Sequence, residues 1–172
     1  GTDPFLVIKD LAEIGNIDSR DALYIYPEGI LPSINLNEIQ DYSSVFGNYF
    51  KNNHKIIVGI TRYKETEIFN SMAVLDNDLK LISVYDKNKL VPFGEYLPFE
   101  NFLKNYGFKK ITQGYQSFSS ASERDLIKMN DTKFLPLICY EIIYSGSIYK
   151  YSDNYDFIIN ISEDGWFGKS IG

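Results

Sequence analysis

The sequence predicts a mixed α/β layer fold, and three observations predict it. Short apolar runs of strand length recur along the chain. Polar turn signals such as Asp76-Asn77-Asp78 and Asn130-Asp131 separate some of them, and segments of helical period separate others. Strands joined partly by hairpins and partly by helices pack as layers of sheet and helix.

The elements follow in order. Residues 22–26 read as a short buried strand. Residues 37–52 carry Ile39, Tyr42, Ser43, Phe46, Tyr49 and Phe50 at helical spacing, which predicts one amphipathic helix. The run Lys55-Ile56-Ile57-Val58-Gly59-Ile60-Thr61 is a strand with a buried character, and residues 69–75 and 81–85 form two more about the Asp76-Asn77-Asp78 turn. Residues 91–98 hold two prolines and a glycine, so a structured loop is expected there, followed by a short helix over residues 99–106. Residues 126–129 and 134–139 read as a strand pair, a helix is expected to start near Glu141, and residues 155–160 complete the set as another buried strand.

Composition bounds the function. A chain of 172 residues is one domain or part of one, long enough to bury a core. A net charge of −6 argues against a nucleic-acid partner. No apolar run approaches the ~18–20 residues of a membrane span, and the first residues carry no secretory signal pattern. With one histidine and one cysteine, a metal site would need mostly carboxylates, so no metal is expected. The P-loop and dinucleotide glycine patterns are absent, and no cofactor is expected. His54, in Lys51-Asn52-Asn53-His54-Lys55, is expected to be a solvent-facing loop residue.

Cys139 is the sole cysteine and closes the run Phe134-Leu135-Pro136-Leu137-Ile138-Cys139. A strand end is where a fold can lift a reactive side chain out of its core. Glu28 and Lys87 also follow apolar strands, so a carboxylate, an ammonium and a thiol could form a cysteine-nucleophile site. The plain alternative for Cys139 is a small core residue, since free cysteine is among the most buried types.

Four segments occur in one order: Tyr26-Pro27-Glu28; Lys87 with Leu90-Val91-Pro92-Phe93-Gly94-Glu95-Tyr96-Leu97-Pro98; Cys139-Tyr140-Glu141; and Asp164-Gly165-Trp166-Phe167-Gly168. From Ala22 to Gly172 the chain thereby resembles the nitrilase, or carbon–nitrogen hydrolase, superfamily, and within it the apolipoprotein N-acyltransferase branch. The resemblance implies a nitrilase-like four-layer α-β-β-α sandwich, with residues 1–172 part of a single such domain, incomplete at both ends. Two departures stand out. The position before Asp164 is usually Asn and here is Glu163, and the aromatic residue before Pro27 is Tyr26 where Trp is usual.

The resemblance also implies roles. Cys139 would be the nucleophile, Glu28 its base, and Lys87 the stabiliser of the oxyanion together with the Tyr140 amide. Glu95 would hold Lys87 or relay protons, unless it merely bonds loop amides around Gly94. Tyr140 and Glu141 match the pair that follows the branch's cysteine, and Glu141 could equally just open a helix. Lys89 is expected to be an exposed charge. Phe93, Tyr96, Trp166 and Phe167 would contact substrate or meet a bilayer surface, or else pack over the site as in a soluble member.

The partners implied are a phospholipid acyl donor and an apolipoprotein acceptor. The membrane would be reached through helices lying outside this segment, in a bacterial inner membrane with this domain facing the periplasm. On that reading the segment alone is expected to be inactive, and an open sheet edge could make it a homo-oligomer. Two alternatives stay open: a soluble amidase or nitrilase in which water resolves the thioester, and a non-catalytic binding domain with a buried Cys139.

Overall fold

The computed structural model of the chain describes residues 3–15, 18–31, 34–98, 117–144, 146 and 154–163. It opens with helix α1 (Pro4–Ile14), capped by the Asp3 side chain on the Phe5 amide. This helix is not among the expected elements, although Asp3-Pro4 is a helix-start signature. Strand β1 (Ala22–Ile25) follows, then a 3₁₀ turn (Ile39–Tyr42) that runs into helix α2 (Ser43–Tyr49). The single helix expected over residues 37–52 is therefore shorter and broken. Its residues include Ser43, Ser44, Val45, Gly47 and Asn48, all weak helix formers, and no side chain caps its start.

Strands β2 (His54–Lys64), β3 (Glu67–Asp76) and β4 (Leu81–Asp86) come next, and with β1 they form a four-stranded sheet in the order β1-β2-β3-β4. The β1–β2 pair is parallel; the other two pairs are antiparallel. A second sheet has the order β5-β6-β7, from β5 (Ile127–Met129), β6 (Thr132–Ile138) and β7 (Phe157–Ile161). Here β5–β6 is a hairpin and β6–β7 is parallel. The helix expected near Glu141 is a 3₁₀ turn over Cys139–Ile143. The helix expected over residues 99–106 lies outside the described residues.

Period-two alternation sorts the core into two layers. Ile56, Val58 and Ile60 of β2, with Ala73 and Leu75 of β3, face helices α1 and α2 and pack on Ile8, Leu11, Phe46 and Phe50. Their neighbours Ile57, Met72 and Val74 point the other way, joined by Tyr85, and meet Ile127, Phe134, Ile138, Ile159 and Ile161 of the second sheet. Central strand β6 is buried on both faces, with Leu135 and Leu137 as inaccessible as Phe134 and Ile138. This is helix on sheet on sheet, the layer order of a nitrilase-like sandwich, with β7 exposed on the outer face at Ile158 and Asn160.

His54 corrects an expectation. It is fully buried at the start of β2. Its Nδ1 accepts from the Lys51 amide at 3.0 Å, which leaves Nε2 as the donor to the Arg20 carbonyl at 3.0 Å. Its ring packs edge-on against Tyr24 and Phe50. Polar neighbours in sequence made it look exposed, but both ring nitrogens find backbone partners, and a satisfied imidazole buries well.

Candidate active site

Glu28, Lys87, Cys139 and Ser162 each follow a strand end, of β1, β4, β6 and β7 respectively. Two of those strands are in one sheet and two in the other, so the packed sheets bring four chain segments to one edge of the sandwich. Parallel pairing of β1 with β2 and of β6 with β7 makes such carboxyl ends the natural place for a site.

Glu28 reaches this edge because the chain lies directly over β2. A Cβ on Gly59 would come within 2.5 Å of the Glu28 Cα, so only glycine admits this crossing. Next to it, Gly29 has φ +71°, and its bare Cα faces the Glu163 carboxylate. One Glu28 oxygen accepts from the Asn70 amide; the other is buried without a hydrogen-bond partner among the described residues. Burial pushes the Glu28 carboxyl above the usual carboxylate range. The Lys87 charge and the Asn70 hydrogen bond oppose that rise, while Glu95 and Glu163 add to it.

Lys87 is buried against Glu95, with Nζ 3.0 Å from Oε1 and 3.0 Å from Oε2. Glu95 also accepts from Asn70 at 2.7 Å and from the Val91 amide at 2.9 Å. Both readings of Glu95 thus describe its contacts, since it holds an ammonium and a loop amide together. The loop it belongs to closes on itself through a bridge between Pro92 and Tyr96, with Phe93 at φ +63°.

Cys139 is half-buried and has φ +56°, a left-handed conformation that costs a non-glycine residue about 1–3 kcal/mol. The sharp turn it makes lifts the side chain from the end of β6. Burial pushes the thiol up, and the Glu28 charge pushes it further. Hydrogen bonding by Ser162, the Lys87 charge and the Tyr140 amide pull it back. Glu28 and Lys87 are therefore both within electrostatic reach of the sulfur.

Glu141 is fully buried and accepts from Tyr85, Arg124 and three backbone amides. The exposed side chains are Tyr140, Phe93 and Lys89. Half-buried Tyr96 lines a surface groove of about 470 Å³ with Lys89, Leu90, Pro92, Phe118 and Tyr144. Trp166 and Phe167 lie outside the described residues.

Three residues escaped the sequence reading. Asn70 bridges Glu28 and Glu95, and an asparagine amid the apolar run Ile68-Phe69-Asn70-Ser71-Met72 was the available signal, since a buried amide needs partners. Ser162 carried no signal beyond its place after β7. Arg124 lies in a polar segment and gave none.

A carbon–nitrogen hydrolase family profile matches residues 47–172. The apolipoprotein N-acyltransferase of Rhizobium rhizogenes is 34% identical over 164 residues, covering 91% of this chain and 31% of that protein. That of Bradyrhizobium diazoefficiens is 33% identical over 162 residues, covering 89% and 30%. The chain thus spans about a third of the length of the curated relatives it matches. Among solved structures, a carbon–nitrogen hydrolase from Helicobacter pylori matches with TM-score 0.61 at 12% identity, covering 94% of this chain and 56% of that one. Glutamine-dependent NAD+ synthetase from Acinetobacter baumannii matches with TM-score 0.59 at 20% identity, covering 92% and 28%. At such identities the structures speak for the fold, and the profile, which covers most of the chain, speaks for descent. The chain belongs to the carbon–nitrogen hydrolase family.

Proposed function

We propose that this chain carries the acyl-transfer chemistry of an apolipoprotein N-acyltransferase, with Cys139 as nucleophile. The observation that carries the reading is the strained Cys139 turn, set within reach of the Glu28 carboxylate and the buried Lys87–Glu95 pair. The choice of acyl transfer over hydrolysis rests on the relatives, whose names specify that activity.

The reaction is ping-pong. Glu28 takes the Cys139 proton, which a thiol pushed up by burial does not lose readily at neutral pH. The thiolate adds to the ester carbonyl of a phospholipid. The resulting oxyanion is met by the Lys87 ammonium and the Tyr140 amide. Collapse breaks the carbon–oxygen bond, the departing alkoxide takes the proton from Glu28, and a thioester and a lysophospholipid remain. The α-amine of a diacylglyceryl-modified N-terminal cysteine then attacks the thioester. Its proton passes through Glu28 to the leaving Cys139 sulfur, and the amide product departs. Glu95 keeps Lys87 pointed at the reacting carbonyl.

The groove beside Lys89, Tyr96 and Tyr144 would take part of the lipid donor. No helix among the described residues is long and apolar enough to cross a membrane, so the bilayer would be reached through the rest of the protein. The domain would face the periplasm from a bacterial inner membrane.

The test uses the full-length protein in vesicles with an acyl-labelled phospholipid. Label should accumulate on Cys139 as a hydroxylamine-labile thioester and pass to an added diacylglyceryl-modified peptide. Cys139→Ala should carry none. Label trapped on Cys139→Ala, or hydrolysis of simple amides outrunning transfer to the peptide, would overturn the reading.

A further inference from the structure

Glu141 carries more hydrogen bonds than its place beside the nucleophile requires. Its Oε1 accepts from the Tyr85 hydroxyl at 2.7 Å, the Asn88 amide at 3.0 Å, the Lys89 amide at 2.9 Å and Arg124 Nη2 at 3.0 Å. Its Oε2 accepts from the Ile138 amide at 2.9 Å. Ile138 immediately precedes Cys139, and Asn88 immediately follows Lys87. One carboxylate therefore ties the turn that presents the ammonium to the turn that presents the thiol, across two different sheets.

A carboxylate with no solvent exposure needs a counter-charge and hydrogen-bond partners for both its oxygens. Arg124 supplies the charge. It is 5% exposed, its Nη2 meets Glu141, and its Nε donates to the Tyr85 hydroxyl at 3.2 Å. The guanidinium thus spans both members of the Tyr85–Glu141 pair with its fixed fork, a geometry that a lysine ammonium cannot copy. Lys87, the other buried cation near the site among the described residues, is paired with Glu95.

We propose that Arg124 is a positioning residue of the acyl-transfer site, fixing Glu141 through their ion pair so that the Lys87 turn and the Cys139 turn move as one body. The proposal rests on the reading of Cys139, Lys87 and Glu28 given above. Arg124 touches none of the reacting atoms. Its effect is on the distance and angle between the sulfur and the oxyanion-binding group, where a displacement of an ångström is costly to rate.

The test compares Arg124→Met, Arg124→Lys, Glu141→Gln and the double variant Arg124→Met/Glu141→Gln in the full-length membrane protein, at a temperature where each is folded. Arg124→Met should lower kcat by about 10- to 100-fold with KM for donor and acceptor little changed, the pattern of an interaction lost in the transition state. Arg124→Lys should recover part of that loss. The double variant should be no slower than Arg124→Met alone, because the uncharged Gln no longer needs the cation. Reaction of Cys139 with iodoacetamide, read in parallel, should change in rate along with kcat.

A folded Arg124→Met protein with kcat within about twofold of the parent, or with its loss confined to KM, overturns the proposal. If Arg124→Met does not fold, Arg124→Lys carries the test, since it keeps the charge but not the fork, and full turnover by it would overturn the proposal. Cys139→Ala is the control for the underlying reading. If it transfers acyl groups, that reading is at fault; if it is dead while Arg124→Met is normal, only the role of Arg124 fails.

Discussion

Glu28 sits where ionisation is costly, with one oxygen bonded to Asn70 and the other unpartnered among the described residues. Its folded-state pKa lies above its unfolded value, so folding favours the protonated form. The stability attached to this group is full below the ordinary carboxylate range and is lost as pH rises through the folded pKa. Glu28→Gln cannot ionise and escapes that loss. It should be more stable than the parent at neutral pH, by about 1 kcal/mol, as expected when a functional site is relieved of strain. Urea melts across pH would show the gap closing on acidification, and a gap independent of pH would refute this account of Glu28. The same variant removes the negative charge that pushes Cys139 up, so the thiol should titrate lower by ultraviolet absorbance. Acylation should nevertheless slow by roughly 10²- to 10⁴-fold. Slower acylation from a more easily ionised thiol would mark Glu28 as a proton carrier and not merely a nearby charge.

At the scale of elements, the site depends on where chains cross. Gly59 sits in the middle of β2, and a Cβ there would strike the Glu28 backbone at 2.5 Å and Ile161 at 3.0 Å. Gly59→Ala must displace Glu28, and overpacking of this kind costs about 1–3 kcal/mol. Thioester formation should fall with it. Gly47 in α2 has open space at its Cβ, so Gly47→Ala should instead stabilise by up to about 1 kcal/mol and leave acylation unchanged. Denaturation curves and thioester trapping on the two variants would separate the effects, and equal losses from both would contradict the crossing argument. Strands were the part of this fold that the sequence expressed, because alternating or continuous apolar runs bounded by turn residues survive burial unchanged. Helices were less legible. The α2 segment has the right period but poor helix formers, and tertiary packing of Phe46 and Phe50 decides where it ends. Glu28, Lys87 and Cys139 follow readable strand ends and sit in motifs, so the sequence alone could single them out as candidates. Asn70, Ser162 and Arg124 could not be singled out, since what distinguishes them is a partner far away in sequence, and His54 was misjudged for the same reason.

At the scale of the whole molecule, two cores serve different ends. One lies between the helices and the first sheet, and Phe46 belongs to it. The other lies between the sheets and includes Met72 and Phe134, with Phe134 stacked on Phe157 at 5.6 Å between ring centroids. The second core joins the two sheets and so sets how β1 and β4 meet β6 and β7. Close-packed interiors transmit such displacements instead of absorbing them. Met72→Ala should cost about 2–5 kcal/mol, and Phe46→Ala a comparable 3–5 kcal/mol, so both are severe but distinct lesions. The prediction is that, measured well below either melting transition, Met72→Ala reduces thioester formation and alters Cys139 alkylation, because the sheets can shift over the cavity. Phe46→Ala should lose stability alone, since its cavity opens on the side of the sheet away from Cys139. The measurement is a denaturation curve and an alkylation rate for each variant at one temperature. Equal alkylation rates in the two would show that the inter-sheet core does not align the site, and that the local ties at Glu95 and Glu141 are sufficient to hold it.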